Sequence, residues 1–112
     1  KKGIYDCVTV RINDPGYVVS EVVDVTGYEA MLVTGWAYRD SAEDPKGFQL
    51  YVIKDANGQV LDYYDSVNSY AAGGDQLDHA YVVLHEGAAT VVIAGNIYHT
   101  RPELTLIRST GG

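Results

Sequence analysis

The chemistry-bearing residues of this chain are aromatic rings, amides and imidazoles rather than nucleophiles. The stretch VTGWAYRD, Val33 to Asp40, holds the single tryptophan, Trp36, with Tyr38 two residues on. Tyrosine occurs 10 times in 112 residues, more than a core of this size needs. It suits half-buried sheets and wet faces, because its ring is apolar and its tip polar. Sugar rings present apolar C–H faces rimmed by hydroxyls, so a site for them needs flat rings with amides and carboxylates at the edge. Trp36, Tyr38, Gln49, Tyr51, His79, Tyr81 and Asn96 supply that chemistry if they share one surface. Asp62-Tyr63-Tyr64-Asp65, with nearby Tyr70, has the same character. Tyrosines on an exposed sheet serve equally as cross-strand packing partners.

Other chemistries find less support. The sequence has no G-x-S-x-G, no H-E-x-x-H and no P-loop, so no enzyme is expected. Cys7 is the only cysteine and lies early in a regular strand, where a buried structural thiol is the usual outcome. His79 and His85 fall on one strand face, but at ~20 Å they cannot share an ion. Asp40, Glu43 and Asp44, and separately Asp75 and Asp78, offer carboxylate oxygens for calcium without the spacing of a calcium loop. No other cofactor is expected.

Size and charge narrow the partners. The length suits one domain, residues 1–112, read as a module of a larger protein. Hydrophobic residues make up 46% of it, which argues against disorder. No apolar run approaches the ~20 residues of a membrane helix, and no basic segment leads into an apolar leader. A net charge of -7 with scattered Lys and Arg disfavours nucleic acid and anionic membranes.

The elements that must position these residues are strands. Apolar positions are rich in β-branched residues and broken at short intervals by turn signals. The expected strands are 4–12, 17–25, 30–38, 48–54, 60–65, 79–85, 90–98 and 103–109. Asn57-Gly58 marks a hairpin turn between the fourth and fifth. The loop SVNSYAAGGDQL, 66–77, is long and Gly-rich. About eight short strands in this length imply an all-β, two-sheet antiparallel sandwich, jelly-roll or Ig-like.

Alternation along each strand then assigns faces. Ala80, Val82 and Leu84 share the inner face of the sixth strand, which leaves His79, Tyr81, Val83 and His85 outside. Val91 and Ile93 are inner in the seventh, with Asn96 outward. Phe48, Leu50 and Val52 are inner in the fourth, so Gln49, Tyr51 and Ile53 face out. The third strand admits two readings. Burial of Met31, Val33 and Ala37 sends Trp36 and Tyr38 outward to join the others; burial of the opposite set makes Trp36 a core residue. A lone tryptophan in a sandwich favours the core.

The run GYVVSEVVDVTGYEAMLVTGWAYRD, followed by FQLYVIKDANGQV, resembles a pattern of bacterial cell-surface proteins. In that pattern a strand of type G-y-v-d-s-v leads to one ending V-x-G-W-A and then to one of type f-x-l-y-v. The similarity covers residues 16–60 and implies an Ig-like or jelly-roll accessory module in an extracellular setting. It carries over no site residue. The leading expectation is a non-catalytic module that binds a polysaccharide or other glycan on an aromatic sheet face. The alternative is a spacer or adhesion domain with no small-molecule ligand.

Overall fold

The computed structural model describes residues 4–6, 17–38, 49–97 and 99–108, and the side chains of all of these except 4–6, 17 and 18. The described strands are β1 (Ile4–Asp6), β2 (Tyr17–Ser20), β3 (Val23–Asp24), β4 (Tyr28–Ala37), β5 (Gln49–Lys54), β6 (Val60–Asp65), β7 (Asp75–Val83), β8 (Thr90–Asn96) and β9 (Glu103–Arg108). They form two antiparallel sheets. The larger has the order β1-β2-β8-β5-β6, with β3 also pairing β8; the smaller is β7-β4-β9. The protein is an all-β, two-sheet sandwich. Cys7, Phe48 and the acidic residues Asp40, Glu43 and Asp44 lie outside the described residues.

The core fills the space between the sheets. Met31 and Val33 from β4 meet Tyr51 and Ile53 from β5, Val91 and Ile93 from β8, and Leu84. A smaller cluster of Ala37, Leu50 and Ala94 lies beside it. Leu84, Val91 and Ile93 are buried as the alternation requires, and Val82 is half-buried against them.

Two irregularities redirect side chains. In β5, Gln49 pairs with Asp65 but Tyr51 pairs with Tyr64, so Leu50 is an extra residue. A bulge of this kind reverses the alternation that follows it. Leu50 and Tyr51 therefore both turn inward, and Ile53 follows them. In β7, Val33 pairs with Ala80 but Gly35 pairs with Leu77, which adds one residue at Asp78-His79. Pairing continues past this bulge, Gly35 with Leu77, Trp36 with Gln76 and Ala37 with Asp75, so β7 begins at Asp75 rather than at residue 79. Its first residues follow one alternation and its last the other, and no single period spans them.

The β5–β6 hairpin is held by its own turn chemistry. Asp55 Oδ1 accepts from the Asn57 and Gln59 amides, both at 2.9 Å, and the Gly58 amide donates to Asp55 O at 3.0 Å. Gly58 has φ 85, a conformation that a β-branched residue adopts only under strain. Gly58→Val should cost about 1–2 kcal/mol and lower the Tm by about 4–8 °C for each kcal/mol. An unchanged melting curve would contradict this role.

Candidate functional site

The β4 register decides where Trp36 points. Gly35 pairs with Leu77, Trp36 with Gln76 and Ala37 with Asp75. Ala37 packs on Leu50 and Ala94 of the other sheet, so residues 35 and 37 face inward. A Cβ on Gly35 would sit 3.5 Å from Leu50 Cδ2, which confirms the direction. Alternation then turns Trp36 to the outer face, beside exposed Gln76. Met31, Val33 and Ala37 are the buried set. Even so, Trp36 is only 3% exposed. It is an outward residue under a roof, neither a core tryptophan nor an open platform.

The roof is the loop after β6. Trp36 Nε1–H donates to Gly73 O at 2.9 Å. Gly74 lies so close that a Cβ there would be 2.7 Å from the indole and 2.8 Å from Ala37 O. Gly73 and Gly74 have φ 97 and 65, and these backbone conformations favour glycine. The loop is braced again at its start. Asp75 Oδ2 accepts from the Val67 and Asn68 amides at 2.6 and 3.1 Å, and Oδ1 accepts from Asn68 Nδ2 at 2.8 Å. Between these anchors Tyr70 is held 69% exposed.

Four rings gather here. His99 stacks on Trp36 with centroids 4.2 Å apart and planes 16° apart. Tyr38 lies 5.4 Å from Trp36, and Tyr70 lies 6.0 Å from Trp36 and 5.3 Å from Tyr38. Rings at these separations touch one another. They make a packed pedestal rather than a cage around a cation. A hydrogen-bond chain fixes the His99 ring: Thr100 Oγ1 lies 2.8 Å from His99 Nδ1 and donates to Gln76 Oε1 at 3.2 Å. Since the hydroxyl gives its proton to Gln76, His99 Nδ1–H donates to it, and in the neutral ring Nε2 is then an acceptor. Gln76 Nε2 donates to Gly35 O and Leu77 O at 3.2 and 3.0 Å.

The expected site residues divide. Tyr38, His79 and Tyr81 lie with Trp36 along the smaller sheet, and Tyr81 is 58% exposed opposite Leu32. Gln49, Tyr51 and Asn96 belong to the larger sheet. The outward placement of Tyr51 is overturned: the Leu50 bulge turns it into the core at 8% exposure. Asn96 is buried as well, and its carbonyl accepts from the His99 and Thr100 amides at 3.2 and 3.1 Å. It shapes the β8–β9 turn that carries His99. Gln49 is half-buried beside Asp65. In the second tyrosine group, Tyr63 is exposed, whereas Tyr64 packs toward Tyr51 with centroids 6.2 Å apart. The residues missed at the sequence level are His99, which falls in a turn, and Gly73-Gly74, which supply the roof.

Electrostatics mark Tyr51 as structural. Burial first, then the Asp62 carboxylate and Tyr64, push its phenol above the ordinary value. Burial and then Asp75 do the same to Tyr64. A phenol raised in the folded state contributes stability that is intact below its unfolded value of about 10 and is lost as pH rises through the folded value. Tyr51→Phe should therefore lose less stability than wild type when urea unfolding is followed upward from about pH 9. Identical pH slopes would remove Tyr51 from this account.

Asp75 does not stand ready for calcium, since three N–H groups occupy its oxygens. Among the described residues no three His, Cys, Asp or Glu side chains are grouped to hold a metal ion. No protein-family model, no curated protein and no solved structure matches this chain.

Proposed function

We propose that the chain is a non-catalytic carbohydrate-binding module that uses the outer face of its smaller sheet. The observation that carries this reading is Tyr70, an exposed ring on a doubly anchored loop beside stacked Trp36 and His99. Fixing a large apolar ring in water gains little for folding. It does lower the ordering cost of binding a flat apolar ligand face. The same reading, with the likeness to bacterial surface modules, supports an extracellular setting within a larger protein. A second reading, an Ig-like spacer or adhesion domain, draws on the structural use of other tyrosines. Tyr51 fills the core, half-buried Tyr64 packs against it, and Tyr28 receives Arg108 over its ring at 4.5 Å.

Tyr70→Ala separates the two. It removes edge contacts with Trp36 and Tyr38, so it should cost about 0.5–1.5 kcal/mol and leave the domain folded. Polysaccharide binding should weaken by ~1–3 kcal/mol in affinity electrophoresis. If the wild type is retarded by no gel containing β-glucan, xylan, glucomannan, starch or glycol chitin, the spacer reading stands instead.

A further inference from the structure

Six described residues have positive φ, and five of them are glycines: Gly27, Gly58, Gly73, Gly74 and Gly87. The sixth is His79, with φ 53. It occupies the β7 bulge, where its amide donates to Thr34 Oγ1 at 3.0 Å. That backbone bond needs no side chain at position 79, and glycine would meet the conformation without strain. An imidazole at this position points to a use for the ring outside the fold. Among the described residues the ring's hydrogen-bond partner is Asp78, whose Oδ1 lies 2.8 Å from Nδ1, and the two side chains are 66% and 79% exposed. The bulge thus sets two consecutive polar groups on the outer face, where a regular strand would offer one.

The pair has aromatic groups on both sides. Tyr81 lies opposite Leu32, and Gln76 lies opposite Trp36. Leu32 and Trp36 are four residues apart on β4, about 13 Å, so the face from Tyr81 to the Tyr70–His99 pedestal matches a short linear oligosaccharide rather than a monosaccharide. We infer that Asp78 and His79 form the central polar subsite of an extended glycan site, with Tyr81 at one end and the pedestal at the other. This rests on the carbohydrate reading above. In the neutral imidazole, with Nδ1–H donating to Asp78, His79 presents Nε2 as an acceptor, and the remaining carboxylate lone pairs accept as well. The subsite therefore suits adjacent sugar hydroxyls. The glycan is linear and uncharged: Asp78 and Glu103, the latter opposite Thr34, face this strip and would repel uronic acids.

The test uses oligosaccharides of two to six units, prepared from whichever neutral polymer of the panel retards the wild type. Titration calorimetry should show affinity rising at least tenfold from the disaccharide to the hexasaccharide. His79→Gly should melt at or above the wild-type temperature yet bind the hexasaccharide at least tenfold more weakly. His79→Asn, which tolerates the same φ and keeps an acceptor, should recover part of the loss. Tyr81→Ala should reduce hexasaccharide affinity by a larger factor than disaccharide affinity. If a polymer is retarded but affinity is flat beyond the disaccharide and His79→Gly binds as wild type, the extended site is wrong while the carbohydrate reading survives. If no polymer is retarded, both fall.

Discussion

Trp36→Ala should cost about 3–5 kcal/mol, the range for deleting a large buried aromatic side chain, and a domain stabilised by roughly 5–15 kcal/mol would be left near its threshold. The indole is 3% exposed, holds Gly73 O through Nε1 and carries the His99 stack. Its removal leaves a void between β4 and residues 69–74, and the glycines that approach it so closely cannot fill that space. Trp36→Phe keeps most of the ring but leaves the Gly73 carbonyl without its donor, so it should cost about 1–3 kcal/mol. Urea unfolding followed by far-ultraviolet circular dichroism measures both. A Trp36→Ala loss below about 1 kcal/mol would mean that the loop does not depend on the indole. The wild type should show blue-shifted tryptophan emission that acrylamide quenches poorly. Because the indole is roofed, any binding lost in Trp36→Ala reports a displaced loop, and Tyr70→Ala is the cleaner probe of the ligand face.

The contrast between Trp36 and Tyr51 shows what alternation can and cannot deliver. Where a strand runs regularly, as from Ala80 to Leu84, inner and outer faces follow directly from the residue types, and Tyr81 lies outside as expected. The all-β sandwich follows from the same pattern and its turn residues, as at Asn57-Gly58. A bulge inserts one residue without any compositional mark. QLYVI reads equally well with Leu50 and Val52 inward or with Leu50, Tyr51 and Ile53 inward, and only pairing with Asp65 and Tyr64 selects the second. For Trp36 neither direction nor exposure was legible: alternation leaves the third strand with two readings, a lone tryptophan favours the core, and only the inward packing of Gly35 and Ala37 turns the indole outward. Exposure depends on a loop more than thirty residues further along the chain. The signal for that roof was Gly73-Gly74, since consecutive glycines mark a close backbone approach as readily as a flexible link. His99 left no signal, because its stacking partner is distant in sequence and its own segment is a turn.

Asp75→Ala is the complementary experiment, because it loosens the same loop from its other end. The carboxylate is buried at the start of β7 and accepts three hydrogen bonds from Val67 and Asn68. Bonds to a charged acceptor are worth about 1.5–3 kcal/mol each. Val67 and Asn68 are exposed, so water replaces part of what is lost. The expected cost is therefore about 2–4 kcal/mol, well below the sum of three full bonds. Asp75→Asn keeps one acceptor oxygen but must aim an amide at a backbone donor or surrender Asn68 Nδ2, and should fall between wild type and alanine. The consequence for function is indirect but measurable. Asp75 is covered and cannot reach a ligand, yet it fixes the chain from which Tyr70 projects. On the carbohydrate reading, Asp75→Ala should weaken glycan binding nearly as much as Tyr70→Ala does, and adding Tyr70→Ala to it should weaken binding little further. Additive losses would show that Asp75 does not act through Tyr70. Faster amide hydrogen exchange across residues 67–74, with β5 and β8 unchanged, would locate the opening in the loop rather than in the sandwich.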